Sequence, residues 1–400
     1  MGSSGSGEGP AWGLYVHIPF CPYKCAYCDF VAVADGPRVR RWHAPYVEAV
    51  LREAAWWAES LAPPPPVSVY YGGGTPTLLG AEALAQLHRG LVARLGVPPE
   101  AEVTCEANPE TVDPPTLRAL RAAGFNRLSL GWQAMQPRLL AALGRRHGPA
   151  EAVAAVRAAR EAGFPQVNVD LMYGLPGQTL EDFRASLEAA LALGPEHVSV
   201  YGLQVEAGTP FASQAAQGLL ELPGEEAEAA MFACARELLQ ASGYEHYEIS
   251  NFALPGCRCR HNLLYWTLGD YLGLGIAAHS HWRGRRWANT RRLARYRAAL
   301  DLPPGPWPWG PGEPLPPWVE EDLAPDAARQ RSEAAFLGLR LLEGVDLAAF
   351  RQRWGVDLDA AFPRAVARLR ARGLAEVVGG RLRLTPEALL VANLAFAEFV

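Results

Sequence analysis

The sequence predicts an α/β protein: six β/α units wound into a partial (β/α)6 barrel, followed by a small α+β domain of winged-helix type. Three observations carry this. Six short β-type runs alternate with helical stretches between Gly13 and Gln204, a rhythm that gives a parallel sheet with right-handed crossovers. Several of the helical stretches stop at a glycine, as at Gly96, Gly124 and Gly163. After Gly208 the rhythm breaks, and three helical stretches with one hairpin close the chain.

Taken in order, the strands are expected at Leu14–Ile18, Val67–Tyr71, Glu102–Glu106, Arg127–Gln133, Gln166–Met172 and His197–Gln204. Between them, Tyr46–Leu61, Ala81–Leu95, Pro114–Ala123, Ala150–Ala162 and Leu180–Leu193 are amphipathic or Ala-rich and read as helices. Glu221–Ser242 reads as a helix and Tyr244–Phe252 as extended. Beyond the Pro-rich stretch lie helices at Ala327–Leu342, Leu347–Trp354 and Asp359–Arg372, then a hairpin over Ala375–Leu384 turning on Gly379-Gly380. The expected division is a flexible N-terminus (1–10), a barrel (11–242), an extension (243–302), a Pro-rich linker (303–325) and the C-terminal domain (326–400).

Composition narrows the function classes. Half of the 400 residues are hydrophobic, enough for a sizeable core, yet no run of eighteen apolar residues occurs. The start lacks the apolar run of a signal peptide, so the chain reads as cytoplasmic. A net charge of −5, with 37 basic and 42 acidic residues, argues against a nucleic-acid partner. The arginines of the C-terminal helices (Arg364, Arg368, Arg370, Arg372) are interleaved with acidic residues and read as a solvated face. Seven cysteines at irregular spacing do not suggest a disulfide framework.

Three of those cysteines, Cys21, Cys25 and Cys28, form C-x3-C-x2-C in a loop leaving the first strand. Three thiolates on one loop can hold three irons of a cubane cluster and leave the fourth open to a ligand carrying an amine and a carboxylate. A zinc site would need a fourth Cys or His at a short second spacing, and nothing nearby fits well. His17 lies within the strand, where packing or a backbone hydrogen bond is as reasonable as ligation.

The second expected strand runs into Gly72-Gly73-Gly74-Thr75. Glycines there either make a turn or let backbone approach a ligand closely. Glu106, Gln133 and Asp170 end three successive strands. Strand parity sets them on the faces of Thr104, of Ser129 and Gly131, and of Asn168, opposite the apolar Val103, Cys105, Leu128, Leu130, Val167 and Val169. Each strand then points a polar group into the lumen at its C-terminal end, where parallel barrels build sites. Any one of them alone could merely cap a helix.

The run Tyr15-Val-His-Ile-Pro-Phe-Cys-x3-Cys-x-Tyr27-Cys-Asp-Phe30 resembles the radical-SAM family of oxygen-independent coproporphyrinogen III oxidases and their relatives, the HemW-type heme chaperones. The resemblance runs from Tyr15 to the C-terminus. It implies a radical-SAM barrel, a [4Fe–4S] cluster on Cys21, Cys25 and Cys28, and S-adenosylmethionine (SAM). SAM contacts are implied for Tyr15, Tyr27, Gly73, Gly74, Thr75, Glu106, Gln133, Arg145 and Asp170. It also implies a chemistry in which an electron from the reduced cluster breaks the C5′–S bond of SAM, giving a radical that abstracts hydrogen.

Two features separate the relatives. The oxidase carries a fourth cysteine, C-x3-C-x2-C-x-C, where this chain has Phe30. The segment His261-Asn262-Leu-Leu-Tyr265-Trp266 resembles the heme-binding H-N-x-x-Y-W of the chaperones. Imidazole ligates heme iron, and Tyr and Trp offer flat apolar surface to a porphyrin. On spacing alone a histidine near aromatics is more often structural. Cys257, Cys259, His246, His279 and His281 stand as alternative axial ligands, and Cys259 could equally be an inert buried thiol. The resemblance thus implies a carrier passing heme to apo-hemoproteins such as respiratory enzymes. It further implies an electron donor such as flavodoxin or ferredoxin, and peripheral membrane association during transfer. The alternatives are oxidative decarboxylation of coproporphyrinogen III and a radical reaction on an unrelated substrate.

Overall fold

The computed structural model describes residues 11–301, 308 and 313–400. The expected flexible N-terminus and much of the Pro-rich stretch lie outside these residues.

Six parallel strands stand side by side in chain order: β1 Trp12–Ile18, β2 Ser68–Gly73, β3 Glu102–Ala107, β4 Arg127–Gln133, β5 Gln166–Tyr173 and β6 His197–Gly202. Helices α1 His43–Leu61, α2 Ala81–Leu95, α3 Pro114–Ala122, α4 Pro149–Glu161 and α5 Leu180–Leu191 carry the crossovers. Local chemistry sets their ends. Asp113 accepts from Thr116 N at 2.8 Å to start α3, and Gly96, at φ 64°, ends α2 in the left-handed conformation. The alternation of the strands sorts the side chains as their parity requires. Val103, Cys105, Leu128, Leu130, Val167 and Val169 are at most 3% exposed and lie in the main core, while the polar set faces the lumen. Burying such side chains against the helices contributes about 1.5–3 kcal/mol each.

The expected extension (243–302) is not a separate unit: it adds strands to both edges of the barrel sheet. On one side, after helix α6 Glu225–Ala241, β8 Asn251–Ala253 pairs antiparallel with β6, and β7 Glu245–Glu248 pairs antiparallel with β8 at the edge. On the other, β9 Asp270–Leu274 lies parallel to β1, with β10 His279–Trp282, β11 Arg285–Asn289 and β12 Val319–Leu323 beyond it, antiparallel. The end of the expected linker is therefore structured. Trp318 is fully buried, edge-on to Trp56 and Trp57 of α1, and that anchor lets β12 pair outside β11. Between the two edges, helix α7 Arg260–Trp266 crosses the N-terminal end of the barrel.

The C-terminal domain has its own core around Phe350, Leu369 and Leu382. It contains α8 Ala327–Gly338, α9 Leu347–Trp354, α10 Pro363–Ala371 and a three-stranded antiparallel sheet, β13 Val345–Asp346, β14 Ala375–Val378 and β15 Arg381–Leu384. Gly379 and Gly380 turn the β14–β15 hairpin, both at positive φ as a type I′ turn needs. The expected helix over Asp359–Arg372 is broken before Pro363, which removes a backbone donor. No helix among the described residues is long and apolar enough to cross a membrane.

Candidate functional site at the mouth of the barrel

Past β1 the chain forms a short parallel pair, Phe20–Cys21 with Val33–Ala34, and the cysteine loop lies between its halves. Cys21, Cys25 and Cys28 are half-buried, free of disulfides, and face one cavity of about 360 Å³ that extends down the barrel lumen. Burial pushes the Cys21 thiol up to about 11 and raises Cys25 and Cys28 as well. Bound iron would deprotonate them. Among the described residues no three His, Cys, Asp or Glu groups converge as a single metal ion requires. A cubane takes each thiolate at a different iron, a set that three thiols on one loop can supply.

The glycine turn serves this loop directly. A Cβ on Gly73 (φ 106°) would stand 2.4 Å from the His17 ring, and one on Gly74 would stand 2.6 Å from the Phe20 carbonyl. The amides of Gly74 and Thr75 donate to Ile18 and Phe20 at 2.8 and 2.7 Å, and Gly73 N donates to Glu106 Oε2 at 3.1 Å. These glycines thus let β2 press against the chain entering the loop. With all three amides engaged inside the protein, carbonyl oxygens are what this turn can offer a ligand's amine. His17 bonds Tyr15 OH and the Val31 carbonyl, the backbone contact that stood beside ligation as a reading of the sequence.

Around the cavity the expected polar residues form one network. Thr75 meets Cys21 Sγ at 3.5 Å and accepts from Asn108 Nδ2 at 3.2 Å. Arg145 donates to Asn108 Oδ1 at 2.6 Å and to Tyr27 OH at 2.9 Å. Its Nε, and the hydroxyl of Thr104, are buried with no partner. Glu106 accepts from Tyr70 OH at 2.7 Å, and burial lifts its carboxyl to about 7. Asp170, raised by burial too, accepts from Asn168 at 2.8 Å and Ser129 at 3.2 Å. Gln133 reaches the cavity through a register shift after Gly131 and a left-handed backbone (φ 68°), a bulge that re-aims it. Uncommon backbone of this kind concentrates at functional sites.

Tyr15 stands elsewhere: it stacks on Tyr70 and lines an adjoining cleft rather than the cluster cavity. The H-N-x-x-Y-W segment is likewise divided. At about 100° per residue a helix sets positions four apart on one face. His261 and Tyr265 therefore share a face, their side chains bonded at 2.8 Å. His261 is 1% exposed, its other nitrogen bonds Ser68 Oγ at 2.9 Å, and burial lowers it to about 3. Asn262 instead borders the cluster cavity, and the Trp266 ring lies under Arg340 at 4.2 Å. The structure does not gather these four on one surface.

Residues 15–190 match the Radical SAM superfamily and residues 326–391 the HemN C-terminal domain. The heme chaperone HemW of Mycobacterium tuberculosis is 38% identical over 96% of this chain and 94% of its own. That of Bacillus subtilis is 34% identical over 96% and 98%. The chain belongs to the HemW family of heme chaperones. Among solved structures, coproporphyrinogen III oxidase (HemN) from Escherichia coli matches with a TM-score of 0.80 at 25% identity, covering 98% of this chain and 90% of that one.

Within this HemW-family barrel, sequence reasoning missed Asn108, Tyr70 and Ser199. Asn108 joins Thr75 to Arg145, Tyr70 orients Glu106, and Ser199 donates to Asn168 Oδ1 at 3.1 Å. Parity offered a signal for all three: Asn108 lies two residues past Glu106, Tyr70 two before Gly72, and Ser199 two before Tyr201 on the lumen face of β6.

Proposed function

We propose that this chain is a radical-SAM heme chaperone: it holds a [4Fe–4S] cluster and SAM at the barrel mouth, binds heme, and delivers it to apo-hemoproteins. The observation that carries the reading is Phe30. The chain places it, 63% exposed, on the wall of the cluster cavity where the oxidase pattern has a fourth cysteine. Likeness to chaperones along 96% of the chain supports it.

When bound, a reduced cluster supplies one electron to the SAM sulfonium. This chain's residues do the rest. Cys21, Cys25 and Cys28 hold three irons. The glycine turn and Thr75 would receive the amino group of SAM, and Glu106, Gln133, Asp170 and Arg145 would take its ribose and carboxylate. The half-buried cavity keeps water from the sulfonium.

Oxidative decarboxylation of coproporphyrinogen III is the second reading, supported by the whole-chain fold match to that oxidase. Anaerobic reconstitution, then parallel assays for heme binding and coproporphyrinogen turnover, separates the two. Heme binding without turnover is expected. Turnover to protoporphyrinogen without heme binding would sink the chaperone reading.

A further inference from the structure

Beside the cluster cavity lies a second cleft, of about 460 Å³. Phe30 borders both. Its walls come from parts of the chain far apart in sequence: Tyr15 of β1, Phe30 of the cysteine loop, Tyr265 of α7, Tyr271 of β9 and His279 at the start of β10. Tyr265 and Tyr271 stand edge to face, ring centroids 4.7 Å apart. Such a surface suits a flat, largely apolar ring system.

The cleft also contains an unengaged ligand. The chain has nine histidines. His17, His147, His197 and His261 use both ring nitrogens in hydrogen bonds. His88, His246 and His281 use one and are buried, and His43 is held against Asp35. His279 alone is exposed, and among the described residues its imidazole makes no hydrogen bond. The two cysteine alternatives fare worse. Cys259 is 2% exposed with its thiol pushed up to about 12, and Cys257 does not line the cleft. At the rim, the Arg291 guanidinium is exposed and forms no ion pair among the described residues. Glu320 beside it is taken up by Thr290 and Arg295, and Glu321 faces His279.

Building on the heme-binding reading above, we propose that iron porphyrin sits in this cleft, its iron ligated by His279, its ring against Tyr265 and Tyr271, and a propionate on Arg291. Segment 261–266 then contributes one wall through Tyr265, while His261 braces that tyrosine from inside the barrel floor. The chemistry is consistent with ligation: a neutral imidazole offers iron a lone pair.

The test is a titration of cluster-loaded full-length protein with hemin, followed by difference absorption and low-temperature EPR. His279→Ala is expected to weaken hemin binding at least tenfold, with cluster content and SAM binding unchanged and with partial rescue by free imidazole. His279→Met is expected to keep binding but change the EPR signal to that of a different axial ligand. Should His279→Ala lose its cluster, the His279→Met signal decides. Wild-type binding with both variants unaltered in affinity and spectrum overturns this assignment and leaves the chaperone reading intact. Failure of the wild type to bind hemin overturns that reading itself.

Discussion

The two ends of the barrel lumen are built from similar residues and behave differently. At the floor, Glu102 accepts from the amides of Arg260 and His261 at 3.0 Å each, and His261 closes the set by bonding Ser68 and Tyr265. Toward the mouth, Arg145 Nε is buried without a partner, as is Thr104 halfway up the lumen, and Glu106 and Asp170 hold raised carboxyls below three thiols. Burying unsatisfied polar groups costs about 1–3 kcal/mol each, which a fold sustains where a ligand is to complete the set. The contrast teaches that a polar lumen residue marks a site only where its hydrogen-bonding capacity is left open.

The largest effects should come from the mouth. Replacing Cys21, Cys25 or Cys28 singly by Ala should abolish the cluster, read as iron and sulfide content falling to background with the circular-dichroism spectrum preserved. An intact cluster in any of the three would break the assignment of that thiol. The floor should answer in stability instead. His261→Ala leaves the Ser68 and Tyr265 hydroxyls without their partner and should cost roughly 2–4 kcal/mol, measured by denaturant unfolding. If it abolished heme binding at unchanged stability, the floor would be a ligand site after all.

Legibility follows the same line. Strand parity depends only on local spacing, so β4 and the inward sets of β3 and β5 could be read from sequence. The pairing of β9 with β1 joins residues such as Leu272 and Leu14, far apart in the chain, and a five-residue strand containing Gly273 carries no local mark of its partner. Gln133 needed a bulge, which alternation alone does not foretell. Segment 261–266 looked like one cluster in sequence, but helical rotation and the floor contacts divide it. His279 looked like one of several histidines until packing occupied the others.

Two smaller effects sharpen the contrast. Arg145→Lys removes the forked contact to Asn108 and Tyr27 and should weaken SAM binding about tenfold by isothermal titration, with the cluster retained. No change would leave Arg145 as a brace for the cysteine loop. Glu106 carries a pKa raised from 4.5 to about 7, so the folded state binds more protons than the unfolded between those values. Stability of the SAM-free protein should therefore fall as pH rises through that window. Glu106→Gln should flatten part of the fall, with Glu53, Asp170 and Glu248, also raised by burial, contributing to the remainder. A profile identical to wild type would mean that Glu106 is not desolvated.

A chaperone hands its heme on to an acceptor. The most direct measurement follows the absorption of an apo-hemoprotein mixed with the heme-loaded, cluster-containing chain. Heme should appear in the acceptor faster than its spontaneous release from this chain into buffer allows. Transfer no faster than that release, or no heme retained to transfer, would contradict the chaperone reading.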